Sequence, residues 1–214
     1  MTFETHPLQP FLPPNGRILF LGSFPPPKAR WSMDFFYPNF INDFWRIMGL
    51  IHFGDAQHFV VQGEAVPSGQ KSDGCSSDSI GGRKKKTGTA KRFDRERIIE
   101  FARFEGLAFF DTATRVCRLK DNASDEHLQI VEATDICALL EQMPGCHDIV
   151  TTGGKASEQL QLQISFAMPR IGEYTEGEAF GRVLRWWRMP SSSRAYPMRI
   201  EQKAEFYARL FKGA

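Results

Sequence analysis

The chain has 214 residues, 42% of them hydrophobic, and a formal net charge of +2. That length suits one α/β domain with a sizeable core. The charge excludes a histone-like polycation but leaves room for a local nucleic-acid face. No apolar run approaches the roughly 20 residues of a membrane-spanning helix, so no membrane partner is expected.

The N-terminal stretch Met1–Gly16 lacks a basic region followed by an apolar core, so no secretory signal is expected and the location expected is cytoplasmic. The cysteines, Cys75, Cys117, Cys137 and Cys146, form no CxxC pair, and His6, His52, His58, His127 and His147 are scattered. Metal sites need closely spaced ligands, so no metal is expected and the thiols read as reduced and mostly buried.

In chain order, the first element is an apolar run at Arg17–Leu21, which reads as a buried parallel strand. It breaks at Gly22-Ser23, before Phe24 and three consecutive prolines, Pro25, Pro26 and Pro27. A cluster of rings and amides follows: Phe35, Phe36, Tyr37, Asn39, Asn42, Phe44 and Trp45. A strand that ends in a rigid loop carrying stacking rings and amides predicts a pocket for a flat, hydrogen-bonding molecule, for which a nucleobase is the obvious candidate. Ile41, Phe44, Trp45 and Met48 share one helical face.

Val66–Gly82 is rich in Ser and Gly and is followed by Arg83, Lys84, Lys85, Lys86, Lys91 and Arg92. This composition predicts a mobile surface insertion, either a solvated loop or a basic arm touching phosphates. The pattern resumes with Asp94 as the N-cap of a helix through Phe104, with Ile98, Phe101 and Ala102 inward. Strands are expected at Leu107–Asp111, Asp148–Thr152 and Arg182–Met189. Helices are expected at Val131–Met143, Lys155–Leu162 and Ile200–Phe211, the last with Ala204, Tyr207, Ala208 and Phe211 on one face. Alternating strands and helices imply a mostly parallel sheet covered on both sides, with ligands beyond the carboxyl ends of its strands.

GSFPPP lacks the GxxxxGK[ST] spacing, and its prolines supply no N–H groups, so it is not a phosphate loop. No GxSxG elbow and no HExxH motif is present. Gly153-Gly154-Lys155 opens a helix after a strand and reads first as helix packing, with a phosphate contact as the lesser alternative. The second loop of interest, Met189-Pro190-Ser191-Ser192-Ser193-Arg194-Ala195, follows the last strand. Small hydroxyl residues let a backbone approach closely and bond phosphate oxygens, although a serine here could also simply cap the last helix.

Taken together, these loops resemble the two signature motifs of the uracil-DNA glycosylase superfamily. LGSFPP at Leu21–Pro26, followed by FYPNFINDFW at Phe36–Trp45, is most similar to the hypoxanthine-DNA glycosylase and mismatch-specific branches, with their GSFP- or GINP-type loop and Y-x-N-x-x-N-x-F-W element. MPSSSRA at Met189–Ala195 resembles the loop that ends the family's last strand. Between them, Phe109–Ala113 matches a strand ending in Asp, Asn122–Asp125 resembles an N-x-SD element, and Thr151–Ala156 resembles a TG-x-KA turn.

The resemblance implies a single domain over 1–214 with an insertion at about 62–92. Its expected architecture is a three-layer α/β/α fold around a central, mostly parallel four-stranded sheet. It also implies a monomeric, cofactor-free DNA glycosylase acting on damaged or mismatched duplex, or on single strands. Such an enzyme excises a deaminated or mismatched base, uracil or hypoxanthine, by hydrolysing the N-glycosidic bond of a flipped-out nucleotide. Gly22, Ser23, Phe24, Pro25, Phe35, Phe36 and Tyr37 would then form the base pocket, with Phe35 or Phe36 stacking on the base. Ser191, Ser192, Ser193, Arg194 and Lys155 would contact DNA.

The chain departs from the most active members at two places. Phe24 stands where they carry a water-activating Asp or Asn, and Met189 stands where they carry a His or Asn that stabilises the leaving base. Catalysis then falls to Asn39, and weak activity is expected. Two other readings remain: a protein of this fold that binds nucleic acid or a base without excision, and a nucleoside or nucleotide hydrolase.

Overall fold

The structure is a computed structural model that describes residues 2–62, 91–119 and 127–212. Most of the proposed insertion and the Asn122–Asp125 element lie outside the described residues.

A five-stranded sheet forms the centre, in the order β5 (Leu107–Asp111), β2 (Ile18–Gly22), β8 (Asp148–Thr152), β10 (Arg182–Met189), β9 (Glu173–Ala179). The first four strands run parallel, and every residue of β2 and β5 is buried. Continuous apolar runs such as ILFLG and LAFFD produce this result, because a parallel strand must be covered on both faces. The sheet therefore has five strands and mixed direction, not four. β9 escapes sequence patterning because EYTEGEA has almost no apolar alternation and lies at the edge, half exposed. It joins β10 antiparallel through Phe180-Gly181, whose φ values of 53° and 73° meet the two-residue hairpin's demand for left-handed backbone.

A second sheet, β1 (Thr2–Thr5), β6 (Ala113–Arg118) and β7 (Leu128–Ala133), is wholly antiparallel. It corrects the helix expected from Val131: those residues finish a strand, and α3 (Ile136–Glu141) starts only after Asp135, whose carboxylate accepts from Ala138 N at 3.0 Å. A third pairing joins β3 (Val60–Gln62) to β4 (Lys91–Phe93), with Gln62 opposite Lys91.

The remaining helices are α1 (Phe44–Phe53), α2 (Arg95–Phe104), α4 (Gly154–Gln161) and α5 (Ile200–Lys212). Asp94 caps α2 through Arg97 N at 3.2 Å, and Ile98, Phe101 and Ala102 are its buried face. Phe20 of β2 and Phe109 of β5 stack at 5.5 Å and meet Phe44 of α1 edge-on, while Phe44 also meets Tyr207 of α5. The core is thus built on aromatic rings, and α1 and α5 are packed together over it. Among the described residues, no helix is long and apolar enough to cross a membrane.

Candidate functional site

The carboxyl ends of β2, β5 and β8 and the loop after β10 converge on a cavity of about 540 Å³. A volume of this size lies within the usual range for a small-molecule site. Its lining contains Gly22, Ser23, Phe24 and Pro25 from the first loop, Phe36, Tyr37, Asn39 and Asn42 from the ring-and-amide segment, and Ser191–Arg194 from the second loop. Loops 170 residues apart in sequence meet because β2 and β10 both flank β8 in the parallel sheet.

Two of the expected site residues lie outside this lining. Phe35 packs in the core against Phe11, Phe36 and Phe109, and Phe36, although equally buried, also reaches the lining. Of the two rings considered for stacking, Phe36 is therefore the one on the cavity wall. Lys155 stands on the first turn of α4, away from the lining. Met189, at the head of the second loop, is 1% exposed and belongs to the core.

The first loop is held at two consecutive carbonyls. Pro25 O accepts from Arg118 Nη2 at 3.2 Å, and the same guanidinium grips Glu4 at 2.7 and 3.1 Å. Pro26 O accepts from Trp31 Nε1 at 2.7 Å. Tyr37 sits at a φ of 52°, a left-handed conformation costly for a side-chain-bearing residue. Its ring stacks on Phe44 at 3.8 Å, and its hydroxyl shares a hydrogen bond with Thr152 Oγ1 at 2.9 Å. Burial pushes that hydroxyl well above the usual tyrosine range, so it is a neutral group at any physiological pH.

Asn39 Oδ1 accepts from Ile41 N at 3.1 Å, closing a tight local turn. This contact fixes the amide on the wall while leaving its two N–H donors and a second oxygen lone pair for other partners. The following Asn42 accepts from Phe44 N at 2.9 Å, and its backbone bridges to Ser193. Asp43 N donates to Ser192 O at 2.9 Å. Beneath this seam, the Asp43 carboxylate takes Arg194 Nε at 2.8 Å and Lys203 Nζ at 3.3 Å, and Lys203 also donates to Ser193 O at 2.7 Å. Lys203 is wholly buried. The ring-and-amide segment and the second loop are therefore locked to each other through Asp43, the buried Lys203 and the half-exposed Arg194, and not merely adjacent.

Asp111 ends β5 opposite Gly22 and lines the cavity. A Cβ on Gly22 would collide with Asp111 Oδ1, so any larger residue there would have to displace this carboxylate. Asp111 Oδ2 lies 2.9 Å from His6 Nε2. The His6 side chain is 3% exposed, sits among Phe24, Phe36 and Phe110, and places Nδ1 against the Leu8 backbone. Asp111, Asn42 and Thr152 join the lining without having been singled out as site residues from sequence. A rule that ligands sit beyond strand carboxyl ends would have found Asp111 and Thr152. His6 carried no signal, because its partner is 105 residues away.

No protein-family model matches this sequence, and no curated protein shows significant sequence similarity to it. The fold does have a solved counterpart. The solution NMR structure of a "putative Uracil DNA glycosylase" from Methanosarcina acetivorans superimposes with a TM-score of 0.59 at 19% identity, covering 99% of each chain. The chain thus shares its α/β fold, over its whole length, with that protein.

Proposed function

We propose that this protein is a DNA-repair glycosylase that receives a flipped-out deaminated or mismatched base in the cavity and hydrolyses its N-glycosidic bond. The observation that carries this reading is the union of the two loops on one cavity, whose lining brings together the Phe24, Phe36 and Tyr37 rings, the Asn39 and Asn42 amides, the Asp111 carboxylate and the Ser191–Ser193 loop. The fold shared with the Methanosarcina protein supports it.

In this reading Phe36 stacks on the base, a contact worth about 1–3 kcal/mol. The Ser191–Ser193 loop and Arg194 meet the phosphates flanking the extruded nucleotide. Asn39, whose oxygen keeps a free lone pair, positions the attacking water while its N–H groups face the sugar or base. Phe24 supplies no acid or base, so bond breakage rests on positioning and on electrostatic support of the oxocarbenium-like sugar.

Duplexes holding uracil opposite guanine, hypoxanthine opposite thymine, or xanthine test this directly. Alkali-labile strand breaks are expected with the wild type, and Asn39→Ala should slow them about 100-fold while DNA binding persists. A wild type that yields no breaks on any lesion would end the enzymatic reading. The buried Met189 and the ring at Phe24 favour a second reading, binding without excision. Tight binding of lesion duplex with the base left in place would establish it instead.

A further inference from the structure

We propose that Arg46 is a positioning residue for Asn39: its guanidinium clamps the Asn39–Asn42 turn through two carbonyls and so fixes where the Asn39 amide stands on the cavity lining. This inference rests on the proposed excision reading and assigns what preorganises it.

The turn has two internal hydrogen bonds. Asn42 N donates to Asn39 O at 2.8 Å, and Ile41 N donates to Asn39 Oδ1 at 3.1 Å. Isolated backbone bridges tie its ends, Asn39 to Trp31 and Asn42 to Ser193. Its middle is held by a side chain. Arg46 Nη1 donates to Phe40 O at 2.7 Å and to Asn42 O at 3.1 Å. One nitrogen thus spans two carbonyls of the turn and joins it to the first turn of α1. The carbonyl it holds most closely belongs to the residue that directly follows Asn39.

Local physics argues against a cation here. Arg46 is the third residue of α1, where the positive end of the helix disfavours a positive side chain, and it is buried. Burial lowers its pKa and the nearby Arg194 adds to that effect, with Asp43 opposing. Its hydrogen bonds go to carbonyls and not to a carboxylate. The cost is offset by rings: the guanidinium carbon lies 4.4 Å from the Phe40 centroid and 5.1 Å from that of Phe93, the last residue of β4. A planar guanidinium packed on two rings, with its donors committed, keeps little freedom. A local rule broken this way, next to a candidate site, marks a place where geometry outweighs helix stability. An amide that orients a water needs such geometry, because a misplacement of about 1 Å can slow a reaction about 100-fold.

The test is a double-mutant cycle with Asn39→Ala, read on duplexes containing deoxyuridine or deoxyinosine by single-turnover excision and, for Kd, by fluorescence anisotropy. Arg46→Met keeps the apolar stem and removes the donors. It should slow excision about 10- to 100-fold while Kd stays within about threefold of the wild type. Arg46→Lys keeps the charge without the planar fork and should restore part of the rate. In the Asn39→Ala background, Arg46→Met should slow the residual reaction by no more than about twofold, because the group it positions is already gone. An arginine that only supports the fold would slow both backgrounds alike. That result, or a weakened Kd with an unchanged excision rate, overturns the inference and leaves the proposed function standing. If thermal melts show Arg46→Met unfolded, Arg46→Lys carries the same cycle with the same two outcomes. A wild type that excises neither base ends the excision reading and this inference with it.

Discussion

Gly22 shows how a single missing carbon can set up a site. It ends a strand in which all five residues are buried, and its Cα lies so close to Asp111 that a methyl group would strike the carboxylate. Gly22→Ala should therefore push Asp111 from His6 and destabilise the fold by about 1–3 kcal/mol, seen as a lower denaturant midpoint with an unchanged slope. An unaltered midpoint would mean that the strand ends can part freely, and the carboxylate would then be loosely held. Glycine at the end of an apolar run reads from sequence as a break, and its true partner is visible only across the sheet. Asn39 presents the converse case. Its place in an aromatic and amide cluster was legible from sequence, whereas the turn that fixes its oxygen on Ile41 N needed the backbone geometry.

At the level of elements, the decisive join is between the second loop, the α1 entry and α5. Asp43 stands immediately before α1, and Lys203 is one turn into α5, wholly buried against it. A buried ammonium stripped of its anion is among the costliest defects a domain can carry. Asp43→Ala should therefore cost about 3–5 kcal/mol in chemical denaturation, and Asp43→Ala with Lys203→Met should recover part of it. A loss in the double variant equal to the sum of the Asp43→Ala and Lys203→Met losses would show that the pair does not couple. The same single variant should raise proteolytic nicking in the Ser191–Ser193 loop, because Lys203 also holds Ser193 O. Sequence periodicity placed α5 and its face at Ala204 and Tyr207. It offered no reason to place a lysine in the core, since an isolated Lys reads as solvated until its carboxylate is found.

Across the whole molecule, the most telling electrostatic feature lies far from the cavity. His52, near the end of α1, faces Phe101 and Phe211, and its Nε2 is buried without a partner among the described residues. Burial lowers its pKa below the usual value, only partly opposed by Glu105, which stands 3.6 Å from Nδ1. The unfolded chain therefore binds the proton first as pH falls. Stability should be fully present above the ordinary histidine range near 6.5 and should decline as pH falls through the lower folded value. His52→Leu should flatten this decline in thermal melts taken from pH 7 to 5, as the difference from wild type. A variant with the same pH slope as the wild type would move the cause elsewhere.

The sequence by itself determined the buried parallel strands, the caps at Asp94 and the two loops that bear the site. Each is local: an apolar run, a capping residue three positions ahead of its amide, or a break of Gly and Pro. Tertiary structure alone decided that the central sheet has a fifth, antiparallel strand, that β1, β6 and β7 form a separate sheet, and that Phe36 and not Phe35 meets the cavity. It also decided the pairing of His6 with Asp111 and of Asp43 with Lys203. The physical reason is that edge strands carry little apolar periodicity, and the worth of a polar group depends on a partner that the chain brings near only by folding.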